Sequence, residues 1–273
     1  MFKIQRRDTA ATRAFTLAEL VFHATVRNIR KGHSNGLTAL LMNMMQSVIF
    51  IAAFVLMFSV LGLRGSALRG DFILYIMSGI FMFMTHIKAM GAVAGAEGPA
   101  SPMMKHAPMN TAIAILAAAL SALYLQALSI VLILFAVHVV WHPIEISQPT
   151  DAVMMFVLAW FTGVAIGMVL LAAKPWAPNF VGIVSSIYSR INMIASGKMF
   201  VANTLPATML AMFDWNPLFH VIDQTRGYTF INYNPHYTNW QYPLIVGTVF
   251  LVIGLMGEFY TRRHTSLSWF AAR

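Results

Sequence analysis

Few side chains in this 273-residue chain are placed to do chemistry. The string ASGKMF at 195–200 comes nearest to a phosphate-binding loop, but it lacks the upstream glycine and the hydroxyl after the lysine. Nucleotide hydrolysis by that route is excluded. No HExxH pair, GxSxG elbow or metal-ligand cluster occurs, and the nine histidines are scattered. His86 and His138 stand alone in apolar runs, and His220 with Asp223 is the one spacing that tempts as an acid–base pair. Cysteine is absent, which removes disulfides, thiolate metal sites and cysteine nucleophiles. A reaction needs a converging set of groups. Catalysis is therefore not expected of this chain, nor a metal or cofactor of its own.

Three other groupings carry more information. Ser185, Ser189, Asn192 and Ser196 recur at helical spacing inside an otherwise apolar segment, with Ser186 and Arg190 on an adjoining face. An arginine at mid-membrane costs about 2.5–3.5 kcal/mol, so it should face protein or water. The face is either a wall of a translocation path or a seam of helix–helix hydrogen bonds. A second grouping, Glu97, Pro99, Pro102, Lys105 and His106, lies in a proline-punctuated break that is either a plain connector or a rigid contact for a partner. The third is Trp215, Asn216, Pro217, Phe219, Asp223, Arg226 and Tyr228, in a stretch dense in aromatic rings. Asn216 followed by Pro217 predicts a helix start. Leu218, Ile222 and Thr225 would then share a face, with Asp223 and Arg226 able to pair. The rings suit interfacial anchoring or stacking on sugar faces.

The elements that must hold these groups are membrane helices. Hydrophobic residues make up 59% of the chain and charged residues 10%. Soluble domains carry about 25% charged residues, and so few cannot cover a water-facing surface. Apolar runs long enough to cross hydrocarbon predict spans near Leu37–Gly62, Phe72–Val93, Thr111–Val140, Ala152–Ala173, Phe180–Phe200 and Tyr242–Tyr260. The fifth is the most polar and could be re-entrant. Methionine is abundant and reads as core filler. The spacings Gly91/Gly95, Gly163/Gly167 and Ala114/Ala118/Ala122 permit close helix packing.

Residues 1–14 read as a basic polar tail. Residues 15–34 read as an amphipathic helix lying in the membrane interface. Thr16 and Glu19 have capping-box spacing, and Phe15, Ala18, Phe22, Val26 and Ile29 recur on one face. Arg27, Arg30 and Lys31 supply charge at its end. Seven lysines and arginines precede the first span, and the tail at 261–273 adds Arg262, Arg263 and Arg273. The positive-inside rule then places both termini in the cytoplasm and requires an even number of spans. Arg64, Arg69 and Arg226 fall outside against the rule. The net charge of +9 is explained by this topology and by anionic lipid, not by nucleic acid.

With these features in place, the chain resembles the permease subunit of an ABC-2 type exporter, in the branch that moves capsular polysaccharide or lipid-linked O-antigen. The basic amphipathic helix leading into six spans, the break SPMMKHAPMN and the stretch WNPLFHVIDQTRGYTF carry the likeness. It implies an all-α, six-span fold in the bacterial inner membrane. It also implies a homodimer that moves glycan or glycolipid cargo, driven by a separate ABC ATPase subunit that binds ATP and Mg. By resemblance, residues 97–106 would couple to that ATPase, with the helix at 15–31 contributing. Residues 205–229 would form short gate helices at the outer mouth. The break departs from the family's usual basic, valine-rich form. Export of a drug or lipid by the same type of permease, or a membrane enzyme acting on a lipid, are the competing readings.

Overall fold

The computed structural model describes residues 10–31, 35–62, 71–98 and 110–264. Pro99, Pro102, Lys105 and His106 of the proline-punctuated break lie outside the described residues. So do Arg64, Arg69, residues 1–9 of the N-terminal tail and residues 265–273 of the C-terminal one.

Among the described residues every regular element is a helix. α1 spans Ala10–Arg30, five residues earlier than expected. The capping box at Thr16 does not form, because the alanine-rich segment before it continues the helix. The Thr16 hydroxyl instead donates to the Thr12 carbonyl at 2.9 Å, inside a turn. Phe15 and Phe22 are 75% and 63% exposed, so this part of the expected apolar face is open to its surroundings. α2 (Gly36–Val60), α3 (Phe72–Ala94), α4 (Thr111–Val140), α5 (Pro149–Ala173) and α9 (Gln241–His264) are long and apolar enough to cross a membrane. α6 (Pro178–Ala195) is not among these five.

Side chains cap the starts of three helices. Asp71 accepts from the Ile73 amide, Asn110 from Ala112, and Asn216 from Leu218. Each satisfies an amide that the first turn leaves without a partner.

α3 is the central helix, with Met77, Ala89 and Val93 fully buried. α5 lies so close to it that a Cβ built on Gly163 would meet the His86 carbonyl oxygen at 2.3 Å. α9 packs on the far side of α5, where a Cβ on Gly254 would stand 2.6 Å from Met168 Cβ. Packing without side chains in between is how helices associate where lipid supplies no hydrophobic drive. The Gly163/Gly167 spacing therefore serves contact within the chain, whereas a Cβ on Gly91 would meet nothing within 4 Å.

The helix ends sort into two groups. At one end Glu258 of α9 accepts from Thr111 of α4 at 2.8 Å, and Thr261 donates to the Ala172 carbonyl of α5 at 3.1 Å. There too Lys174 reaches the Ala94 carbonyl and Lys31 the Glu97 carboxylate, both at 3.3 Å. This is the basic end. At the distal end His142 lies 3.3 Å from Asp71, and the Gln148 amide donates to the Tyr228 carbonyl at 2.8 Å.

α6 leaves the basic end and stops at Ala195, five residues before the expected Phe200. Gly197, with φ of +74°, turns the chain there. Phe219 packs over this turn, so that a Cβ on Gly197 would stand 2.5 Å from Phe219 Cδ2. A 3-10 turn (Ala202–Thr204), α7 (Ala207–Phe213) and α8 (Pro217–Thr229) follow and lead to the start of α9. The short helical pieces expected between the last two spans are thus α7 and α8.

Candidate functional site

The polar residues singled out in the fifth segment and before the last one meet in a single unit of α6, its terminal turn and α8. Asn216 does double duty. Its carbonyl oxygen caps α8, while its amide nitrogen donates to Asn192 Oδ1 and to the Ala195 carbonyl, each at 3.0 Å. Asn192 is thereby a joint between α6 and α8. Ser189 bonds back to the Ser185 carbonyl at 2.9 Å, and Ser196 is fully buried. Along this face Asn192 and Ser196 are buried and Ser185 and Ser189 half-buried, and the bond across to α8 is made at Asn192. Lower on α6, Tyr188 hydrogen-bonds His86 Nε2 at 2.8 Å, and His86 Nδ1 meets Thr162 at 3.0 Å.

The adjoining face looks outward. Ser186 and Arg190 are exposed, and with Asn179 and Gly182 they line an open groove of about 540 Å³. Arg190 stands twelve residues from Pro178, about 18 Å along the helix at 1.5 Å per residue.

Arg226 is fully buried, and its guanidinium closes the end of α6. Nη1 donates to the Gly197 carbonyl at 2.8 Å and to Phe200 at 2.5 Å, and Nη2 donates to Lys198 at 2.6 Å. The guanidinium also lies 4.3 Å from the Tyr75 ring centroid. Asp223 holds a different set: the Tyr233 hydroxyl at 2.6 Å, Thr238 at 2.8 Å and the Ala202 amide at 3.2 Å. The expected Asp223–Arg226 pair does not form. The turn after α6 leaves several carbonyls without helical partners, and a guanidinium fork can serve three of them at once.

His220 and Asp223 likewise have separate partners. His220 Nε2 lies 2.6 Å from the Asp214 carbonyl, and its Nδ1 accepts from the Asn239 amide. Burial pushes the His220 imidazole below its ordinary pKa, which favours the neutral ring these two bonds require. Burial, with Asp223 beside it, raises the Tyr233 phenol. The phenol thus remains a donor.

No family model matches the chain, and no curated protein matches it.

The geometry is then the basis for any reading of the site. Of the residues expected at the outer mouth, Trp215 is 58% exposed and Tyr228 half-buried, while Asn216, Pro217, Phe219, Asp223 and Arg226 are interior. α8 is buried nearly all round and acts as a clasp. Among the described residues no group of three metal-ligating side chains forms.

Lys198, the lysine of ASGKMF, sits in an environment that its sequence neighbours do not announce. It is 2% exposed, its Nζ has no hydrogen-bond acceptor, and it lies 3.5 Å from the Phe83 ring centroid. Phe54 and Phe50 stand at 5.1 and 5.9 Å. Three rings thus form a cage around the buried Lys198 Nζ. The i,i+4 spacing of Phe50 and Phe54 places both rings on one face, but nothing in it announces a cation. Cation–π attraction offsets the desolvation of the charge, so Lys198→Met is expected to keep thermal stability within about 1 kcal/mol. A larger fall in thermal unfolding measurements would show that the rings stabilise the charge beyond the burial cost.

Proposed function

We propose that the chain is the membrane-spanning permease subunit of an ABC-2 type exporter. It moves polysaccharide or lipid-linked glycan across the bacterial inner membrane as a homodimer, and ATP with Mg is bound by a separate ATPase subunit. The observation that carries this reading is the outward stripe of α6. A helix carrying an exposed Arg190 well along its length does not suit a lipid-facing position. It suits a polar conduit or a seam with a second copy.

Counting α6 as a crossing supports the rest. α6 starts at the basic end, and α9 returns to that end. Six crossings would leave both termini on one side, and the basic residues there favour the cytoplasmic side. α7 and α8 sit between the last two crossings towards the distal end, as outer gate helices would. The Lys31–Glu97 pair ties the basic helix to the first residue of the expected coupling segment. Exposed Trp215, Tyr237 and Trp240 supply rings on which sugars can stack.

A second reading, export of a lipid or drug, is favoured by one feature. An apolar cavity of about 320 Å³ opens between α3, α4, α5 and α8, lined by Leu74, Phe81, Ile130 and Phe156 among others.

Purification in mild detergent is expected to bring down an ATPase carrying a GxxxxGK[ST] loop. A chain that comes down alone would sink both exporter readings. A deletion strain is expected to lose surface glycan, and unchanged capsule and lipopolysaccharide would leave only the second. Arg190→Leu separates fold from transport. It removes an insertion cost of about 2.5–3.5 kcal/mol, so membrane-inserted yield is expected to hold or rise while export falls. Export unchanged at equal yield would remove Arg190 from the path.

A further inference from the structure

At the basic end, beside the packing of α1 on α4, a cavity of about 370 Å³ lies between α1, the end of α3 and the start of α4. Ala24, Arg27, Asn28 and Lys31 line it from α1, a spacing that places them on one helical face. The cations of α1 are thus directed partly into this space, with Arg30 at its margin. Its lining holds a single carboxylate, Glu97, which Lys31 already engages at 3.3 Å. The lining thus sets three cations, Arg27, Arg30 and Lys31, against that one carboxylate among the described residues. The opposite wall is built from alanine, glycine and one isoleucine of α3 and α4. Such small side chains leave room where a packed core would place leucine.

The positive character continues inward. One turn along α3 from Ala92 in the cavity wall is Lys88, which donates to the neutral Asn43 Oδ1. Gln126 accepts from the same Asn43, and its own Nε2 is buried without a partner. No carboxylate pairs with Lys88 among the described residues. Exposed Leu116 and Leu120 on α4 provide apolar surface beyond the cavity residues of that helix.

We propose that this cavity is a resident-lipid site. It holds the phosphate of an anionic glycerophospholipid between Arg27 and Arg30, with the acyl chains lying along α1 and α4. Guanidinium forks match phosphate oxygens in a way a lone ammonium does not. Small walls admit the glycerol and the first methylenes. The lipid fills the space between α1 and the end of α3, so its binding adds to the mounting that α4 gives α1. The site rests only on the membrane setting and the cavity, and does not depend on what the protein transports.

The test uses the full chain in nanodiscs of phosphatidylcholine alone, or with phosphatidylglycerol added at constant lipid number. Thermal unfolding and native mass spectrometry after partial delipidation are the readouts. Phosphatidylglycerol is expected to raise the unfolding temperature and to stay bound at about one per chain, the number one cavity admits. R27A/R30A is expected to reduce the retained phosphatidylglycerol at least about tenfold. R262A/R263A, at the same end but outside the cavity, is expected to match wild type. R27K/R30K, which keeps the charge should the alanine variant fail to fold, is expected to retain an intermediate amount. Equal stability and retention in both lipids would overturn the proposal using the wild-type protein alone. Retention by R27A/R30A equal to wild type would overturn it too. Inorganic phosphate protecting the protein equally well in phosphatidylcholine would assign the site to a free anion and also overturn it.

Discussion

Replacing Arg226 by methionine is expected to lower stability by about 3–5 kcal/mol, the range for leaving the partners of a buried charge unpaired. Three carbonyls, of Gly197, Lys198 and Phe200, would lose their donor together. Methionine approximates the volume, so the loss would come from hydrogen bonding rather than from a cavity. Arg226→Lys is expected to recover less than half of it. One ammonium keeps the charge, but it cannot reach three carbonyls with the geometry of a planar fork. Thermal unfolding of the purified protein reads the effect. A methionine variant that unfolds within about 2 °C of wild type, about 1 kcal/mol for a chain this size, would show that water or another donor serves the turn.

Gly163→Val carries the next largest effect, and its sign is opposed by a matched control. The new Cβ would lie 2.3 Å from the His86 carbonyl oxygen and 3.0 Å from its carbonyl carbon. These are backbone atoms of the central helix and cannot rotate away. α3 and α5 must separate, with an overpacking cost of about 1–3 kcal/mol. The His86–Thr162 contact spans the same seam, so it should loosen as well. Gly91→Ala meets nothing within 4 Å and removes the glycine penalty in a helix, worth about 0.5–1 kcal/mol. The first variant is expected to unfold below wild type and the second slightly above it. Both variants falling together would place Gly91 in a contact with a second chain.

The five long apolar helices were legible because apolar runs report directly on hydrocarbon. α4 has the expected limits Thr111–Val140, since polar residues border its apolar run on both sides. The end of α6 was not legible. Met199 and Phe200 resume apolar character after Ser196, Gly197 and Lys198, but Gly197 and the packing of Phe219 turn the chain first. α1 began early for a related reason. A capping signature at Thr16 and Glu19 competes poorly with good helix formers before it.

The candidate site was half legible. The sequence identified Asn192, Asn216, Asp223 and Arg226 as polar groups needing partners, and all four have them. It paired Asp223 with Arg226 because side-chain spacing sees only neighbours on one helix. The carbonyls that took the guanidinium lie 26 to 29 residues earlier in the chain. The phenylalanines around Lys198 come from α2 and α3, which no local pattern connects to residue 198.

The Arg226 clasp also bears on the order in which the chain enters the membrane. The carbonyls at the end of α6 emerge from the ribosome well before the arginine that satisfies them. In hydrocarbon each unmet carbonyl costs several kcal/mol, and α6 is too polar to settle on its own apolar content. With α6 as the crossing proposed above, its placement would not be complete when it is synthesised. It would wait at the protein–lipid boundary until α8 arrives, and α6 through α8 would enter as one block rather than helix by helix.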